Sequence, residues 1–172
     1  MSILTHDEIL KEVKAGNIGI DPFVENAIGP ASVDLRLDNK FRTFKKIQGT
    51  FDVTEEANYE QVTEYLEIPQ DGTYLLSPGE SVLGITLETI SLPPSICGWL
   101  EGRSRFARVG LTVHVTASFM QPGISNKQVL EINNVSPIPL LLHPGTYICQ
   151  FIFQQCVGEA CYSGRFVNQI KP

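Results

Sequence analysis

The chain has 172 residues, of which 42% are hydrophobic and 19% are charged. This composition excludes a disordered chain and a coiled coil, and the length predicts a single domain over residues 1–172. The formal net charge of −6 at pH 7 argues against a general nucleic-acid-binding protein. The N-terminal residues lack the basic and apolar regions of a targeting signal, and no apolar run reaches the roughly 20 residues of a membrane helix. We therefore expect a cytoplasmic protein that binds neither nucleic acid nor a membrane.

The charge is unevenly distributed along the chain. Residues 1–90 hold 16 acidic and 7 basic residues, whereas residues 91–172 hold 3 acidic and 6 basic residues. A second half with so few carboxylates suits a small anionic ligand. A β-rich core that simply contains few charges explains the same asymmetry.

The first predicted element is a short amphipathic helix over residues 6–15. Thr5 is a favourable N-cap, and Glu8 stands where it would complete a capping box. Gly16 follows at the position where a helix commonly ends in a left-handed conformation.

Beyond this helix the apolar residues alternate with a period of two, which predicts strands. Pro-Gly pairs at 78–79, 122–123 and 144–145 mark turns between them. Many short strands separated by regular turns favour a sandwich, a jelly roll or a distorted barrel. The predicted strands cover residues 33–37, 41–44, 62–68, 72–76, 81–87, 95–100, 111–115, 128–133, 138–142 and 146–153.

The four cysteines do not predict a zinc site. Cys97, Cys149, Cys156 and Cys161 contain no Cys-x-x-Cys pair, and His114 is not followed by the motif of zinc-dependent nucleobase deaminases. We expect reduced thiols, mostly buried, with one of them exposed, and a structural, hydrogen-bonded His114.

A basic segment between residues 101 and 108 is the first candidate binding site. Arg103, Arg105 and Arg108 surround Ser104, and arginine presents planar donors that match phosphate oxygens. A solvated basic helix is the alternative interpretation.

Glu131 is the second candidate, because it lies within an apolar strand and is one of only three acidic residues after position 90. If its side chain points inward, it is a candidate proton shuttle. If the side chain points outward, Glu131 is an ordinary polar residue of a sheet.

Several blocks in this order resemble the dCTP deaminases of the dUTPase-like superfamily. The blocks are Pro30–Leu37, Gly102–Ser104 with Arg108–Leu111, His114–Ala117, Pro122–Gly123, Leu130–Glu131 and Tyr162–Gln169. This resemblance implies a mainly β fold, a distorted β-barrel or jelly roll of the dUTPase-like type with a short N-terminal helix. It also implies a homotrimer with sites at the subunit interfaces. The implied reaction is the zinc-independent hydrolysis of dCTP to dUTP and ammonia. The resemblance further implies that Mg²⁺ is bound with the triphosphate, that no protein group ligates a metal, and that dTTP is a feedback inhibitor.

The resemblance also implies roles for individual residues. Glu131 is the general base, and Ser104 and Arg108 position the water and the reacting base as further catalytic residues. The implied substrate-binding residues are Arg103, Arg105, Ala117, Gln121, Val129, Tyr162, Arg165 and Gln169. Of these, Arg103, Tyr162, Arg165 and Gln169 hold the triphosphate, and the backbone at Ala117 and Val129 reads the base.

The sequence departs from the family pattern at four positions. Gln121 replaces an Asp, Asn126 a Gly, Arg105 a Ser, and Arg165 a Lys. Gln121 cannot accept a proton from the water that cleaves the phosphate chain, so we expect dUTP rather than dUMP as the product. The alternatives are a dUTPase or bifunctional enzyme that forms dUMP, and a catalytically silent nucleotide-binding regulator.

Overall fold

A computed structural model of the protein describes residues 2–172, so Met1 of the predicted domain lies outside the described residues. The described chain is mainly β, as predicted, and contains two α-helices, two short 3-10 helices (Glu25–Ala27 and Tyr59–Gln61) and twelve strands. None of the helices in residues 2–172 is long and apolar enough to cross a membrane. The α-helices are α1 (His6–Lys14) and α2 (Ser104–Ala107). The strands are β1 (Gly19–Asp21), β2 (Val33–Arg36), β3 (Lys40–Phe44), β4 (Thr63–Glu67), β5 (Tyr74–Leu76), β6 (Ser81–Ser91), β7 (Ile96–Gly102), β8 (Leu111–Val113), β9 (Phe119–Met120), β10 (Ser125–Asn134), β11 (Leu140–Leu142) and β12 (Tyr147–Gln155).

Helix α1 confirms the predicted N-terminal helix and ends one residue earlier than expected. Gly16 adopts a φ of +74°, the left-handed conformation that terminates the helix. Thr5 occupies the N-cap, but its side chain makes no capping hydrogen bond, so the predicted capping box is wrong. The carboxylate of Glu8 instead accepts a hydrogen bond from Lys11 Nζ at 3.0 Å.

The strands form two antiparallel sheets and one ribbon. In the larger sheet the order is β4-β3-β6-β10-β8, with β1 also paired to β6. The smaller sheet has the order β2-β12-β7-β9, and β11 pairs with β5. Leu35 and Phe151 of the smaller sheet and Val82 and Leu130 of the larger sheet belong to one buried apolar cluster. The two open sheets therefore share one core, and the predicted jelly-roll-like fold with a short N-terminal helix is confirmed.

Five predicted strands are shorter than the sequence pattern suggested, and two of them have a clear physical reason. The strand predicted over residues 111–115 stops at Val113, because His114 adopts a φ of +59° and turns the chain. The strand predicted over 138–142 begins at Leu140, because prolines at 137 and 139 have no N–H group for a ladder. Strands β6 and β10 are longer than predicted.

The register of β10 against β6 slips by two residues at Gln128, which faces residues 86–88 of β6. The N–H of Gln128 donates to Thr86 Oγ1 at 2.9 Å, and the same hydroxyl donates to the carbonyl of Glu88 at 2.8 Å. The Thr86 side chain thus replaces a backbone bond of the ladder. The alternation of β10 continues unchanged across this irregularity, so Lys127, Val129 and Glu131 share one face.

Candidate active site

A pocket of about 440 Å³ lies against β10, the turn that follows β8, and the C-terminal segment. This volume falls within the range of small-molecule sites. Of the eleven predicted catalytic and substrate-binding residues, the structure brings six to its wall, namely Ala117, Gln121, Val129, Glu131, Tyr162 and Gln169.

Glu131 points into this pocket from the middle of β10. Its neighbours Leu130 and Ile132 are both 0% exposed and belong to the core, so the alternation of a strand places Glu131 on the opposite face. There its side chain is half-buried and lines the pocket. The sequence left open whether this side chain points inward or outward. In the structure it points away from the core, but into a cavity rather than into bulk solvent.

The turn after β8 holds the carboxylate of Glu131. Thr116 donates to Glu131 Oε2 from its hydroxyl and from its backbone N–H, the latter at 3.2 Å. His114 begins this turn, and its N–H donates to the carbonyl of Glu131 at 3.0 Å. The ring Nε2 of His114 donates to the carbonyl of Ala117 at 2.8 Å, because a carbonyl can only accept. The prediction that His114 is hydrogen-bonded is confirmed, and His114 also lines the pocket.

The pocket wall has few charges. Within the described chain, Glu131 is the only acidic side chain that lines it, and Lys127 is the only lysine or arginine. Lys127 Nζ already pairs with the buried carboxylate of Asp38 at 2.7 Å. A triphosphate could not be neutralised by this single, paired cation.

The arginine-rich segment lies apart from the pocket. Ser104 is the first residue of α2, Arg108 is its C-cap, and both are exposed with Arg105. None of these described residues lines the pocket, and neither does Arg103. In the single chain the structure therefore does not bring Ser104 and Arg108 to Glu131.

Arg103 already has a carboxylate partner. Its guanidinium pairs with Asp34 at 2.9 Å and donates to the carbonyl of Tyr147 at 2.9 Å. Burial raises the pKa of Asp34, while the positive charges of Arg103 and then Arg105 oppose this rise. Arg165 is also outside the pocket, with its guanidinium 5.8 Å from the ring centre of Phe166.

Residues 156–172, here called the tail, contribute Tyr162, Phe166, Gln169 and Pro172 to the pocket wall. The N–H of Tyr162 donates to the carbonyl of Pro122 at 2.9 Å, and the N–H of Lys127 donates to the carbonyl of Gln169 at 3.0 Å. Further along, Arg42 Nε donates to the main-chain oxygen of Pro172 at 2.7 Å. These contacts place Tyr162 and Gln169 next to β10, the strand that carries Glu131.

Asn126, one of the departures from the family pattern, fastens the tail. Its side-chain Nδ2 donates to the carbonyl of Phe166 at 2.7 Å, and its Oδ1 accepts from Gln128 Nε2 at 2.7 Å. A glycine at this position would have neither bond. Sequence reasoning noted the departure but did not assign this role, because Phe166 is 40 residues away.

Other pocket residues were not identified from the sequence. Phe119, Met120, Lys127, Gln128 and Phe166 all line the wall. Alternation along β10 was the available signal for Lys127, which shares the half-buried face with Val129 and Glu131. No local pattern marks Phe166, which reaches the pocket through the fold of the tail.

The cysteines follow the expectation for free thiols. Cys97 and Cys149 are buried, Cys156 is half-buried and Cys161 is exposed. Burial raises the pKa of Cys97 to about 11, so its thiol stays protonated near neutral pH. Within residues 2–172 no group of three or more His, Cys, Asp or Glu side chains is placed to hold a metal ion.

Comparison with known proteins agrees with the resemblance seen in the sequence. The model of the dCTP deaminase-like family matches residues 3–156, and the chain belongs to this family. A protein of Leifsonia xyli subsp. xyli named "dCTP deaminase, dUMP-forming" is 38% identical over 177 aligned positions, which cover 99% of this chain and 88% of that protein. A protein of the same name from Mycobacterium sp. (strain KMS) is 41% identical over 158 positions, covering 92% of this chain and 83% of that protein.

A solved structure supports the fold. The crystal structure of 2'-deoxycytidine 5'-triphosphate deaminase from Agrobacterium tumefaciens superposes with a TM-score of 0.69 at 17% identity. The match covers 90% of this chain and 48% of that chain. At this identity the likeness establishes a shared fold.

Replacing Asn126 should loosen the tail. In Asn126→Ala the bond to Phe166 is lost, and a net cost of about 1 kcal/mol per hydrogen bond predicts roughly fivefold faster amide exchange across 162–169. Hydrogen–deuterium exchange followed by mass spectrometry measures this. Ser125→Ala is the matched control, because Ser125 is adjacent but bonds to Ser91 instead. Equal tail exchange in both variants would show that Asn126 does not fasten the tail.

Proposed function

We propose that this protein catalyses the hydrolytic deamination of dCTP. The observation that carries the proposal is Glu131, a carboxylate fixed by a neighbouring turn in an otherwise almost uncharged pocket. Membership of the dCTP deaminase-like family and relatives named as dCTP deaminases support the choice of substrate.

In the proposed reaction Glu131 acts first as a base and then as an acid. It takes one proton from a water whose oxygen adds to C4 of cytosine, and it passes this proton to the ring nitrogen N3. The carboxylate then takes the remaining proton from the new C4 hydroxyl and gives it to the amino group, the C4–N bond breaks, and ammonia leaves as the C4 carbonyl forms. One group that can accept and return a proton is sufficient for this sequence.

The edge of β10 is suited to reading the base. The backbone of Lys127 and that of Glu131 both make bonds directed away from β6. Because backbone groups of a strand repeat their direction every second residue, the N–H and C=O of Val129 face the same edge. Strand β8 stops opposite Ile132, so it does not cover this part of the edge. Hydrogen bonds from Val129 and the backbone near Ala117 would orient cytosine against Glu131.

The arginines would complete the site from a neighbouring subunit of a homotrimer. This proposal is supported by the positions of the predicted site residues, which lie in two separate places in a single chain. Glu131 lines the pocket, and the segment from Arg103 to Arg108 does not. A second chain that presents this segment would supply the positive charge that the pocket lacks. We propose that the substrate is the Mg²⁺ complex of dCTP, and that dTTP competes for the same site.

Replacing Glu131 tests the deaminase proposal. Glu131→Gln should lower the rate of ammonia release from dCTP by about 10²–10⁴-fold, because a positioned acid–base group is worth that much. The Kd for dCTP should stay within about threefold, because the amide has nearly the same shape. A coupled ammonia assay and calorimetric titration measure the two quantities.

Glu159→Gln is the matched control, since Glu159 is an exposed acid of the tail outside the pocket. Its ammonia release should equal that of the wild type. Retention of activity by Glu131→Gln would remove Glu131 from the mechanism. A wild-type protein that binds dCTP and releases no ammonia would instead favour the nucleotide-binding regulator.

A second candidate activity is the onward hydrolysis of dUTP to dUMP and pyrophosphate. The names of the relatives favour dUMP as the end product, against the dUTP expected from Gln121. Gln121 lines the pocket and can hold a water by hydrogen bonds, but its amide cannot take the proton of that water. We therefore propose that dUMP is formed more slowly than ammonia is released, so that dUTP accumulates transiently.

Restoring a carboxylate at position 121 tests this order of events. Gln121→Asp should speed pyrophosphate release by about 10²-fold, the lower range for a general base, without raising the rate of ammonia release. Gln121→Asn is the control, because it shortens the side chain equally and stays uncharged. Phosphorus NMR of the dCTP reaction follows both products. Pyrophosphate released in step with ammonia by the wild type would contradict the proposed delay, and its complete absence would leave dUTP as the product.

A further inference from the structure

Both hydrogen bonds that the carboxylate of Glu131 accepts from described residues end on the same oxygen. The hydroxyl and the backbone N–H of Thr116 both donate to Oε2. The second oxygen, Oε1, receives no protein hydrogen bond in the described chain. The two oxygens of this carboxylate are therefore inequivalent before any substrate binds.

Thr116 is held in place on both sides by the turn that contains it. The turn starts at His114, whose φ of +59° reverses the chain after β8. The N–H of His114 bonds to Glu131, and its ring bonds to the carbonyl of Ala117. Thr116 lies between these two anchored residues, so its hydroxyl is directed at Glu131 by the backbone and not by its own rotamer alone.

We propose that Thr116 is a positioning residue, which fixes Glu131 by Oε2 and thereby assigns proton transfer to Oε1. This inference rests on the proposed deamination and deepens it. A carboxylate on an open pocket wall rotates freely unless it is held, and a base must lie within hydrogen-bond reach of the attacking water. Two donors on one oxygen fix the carboxylate plane and leave the other oxygen directed to the reacting water.

A positioning role for Thr116 predicts an effect on turnover and not on the binding of dCTP. Thr116 donates to the carboxylate, so its hydroxyl should matter for the proton-transfer step. Loss of the hydroxyl removes one of the two donors and leaves the backbone N–H. A hydrogen bond to a charged group corresponds to about a 10- to 100-fold effect on rate if it is made in the transition state.

The test compares three variants in the full-length protein with dCTP as the substrate. Thr116→Val keeps the branched shape and removes the hydroxyl, and it should lower kcat by about 10- to 100-fold while the Kd for dCTP changes by less than about threefold. Thr116→Ser restores the hydroxyl and should recover most of the loss. Thr112→Val is the matched control, because Thr112 lies in β8 outside the pocket. It should keep the wild-type kcat.

The outcomes distinguish this inference from the proposed function. A wild type that releases no ammonia would overturn the deaminase proposal and, with it, this one. An active wild type whose Thr116→Val variant keeps its kcat would overturn only the role of Thr116. So would a variant that loses dCTP affinity with kcat unchanged, or a Thr116→Ser variant as slow as Thr116→Val. Thermal unfolding of the variants confirms that rates are compared between folded proteins.

Discussion

The pairing of β10 with β6 on one edge and with β8 on the other fixes the direction of the side chains that β10 sends into the pocket. Leu130 and Ile132 enter the core, and this burial leaves the carboxylate of Glu131 on the opposite face. A slip of one residue would bury Glu131 and expose the two apolar neighbours, which the core strongly disfavours. The two-residue slip at Gln128 is accommodated because Thr86 replaces the lost backbone bond. The position of the candidate base is therefore a consequence of sheet packing.

The same packing separates the chemical groups that the proposed reaction needs. In the described chain the pocket holds one acidic side chain and one lysine that is already paired, whereas the exposed Arg105 and Arg108 lie elsewhere. A site completed by a second subunit would bring these groups together, since the arginines would then meet the phosphates and the carboxylate would meet the base.

Features encoded by neighbouring residues were predictable, and features that join distant residues were not. The alternation around Glu131, the helix end at Gly16 and the mainly β fold follow from local patterns, and the structure agrees with each. The capping box failed because the side chain of Glu8 pairs with Lys11, an interaction of similar size on the same helix. The left-handed turn at His114 could not be predicted, because a non-glycine residue adopts it only when tertiary contacts compensate for the strain. The position of the tail at the pocket wall depends on contacts such as that of Arg42 with Pro172, which no sequence periodicity indicates.

The central claim is that a working site combines Glu131 of one chain with the arginine segment of another. Mixing Glu131→Gln subunits with Arg108→Ala subunits, by co-expression or by refolding together, tests it directly. Each variant alone should be nearly inactive. If the site is shared between neighbours in a cyclic assembly, random mixing at equal amounts should restore about one quarter of the wild-type rate of ammonia release. A mixture no more active than the mean of the two separate variants would show that the site lies within a single chain.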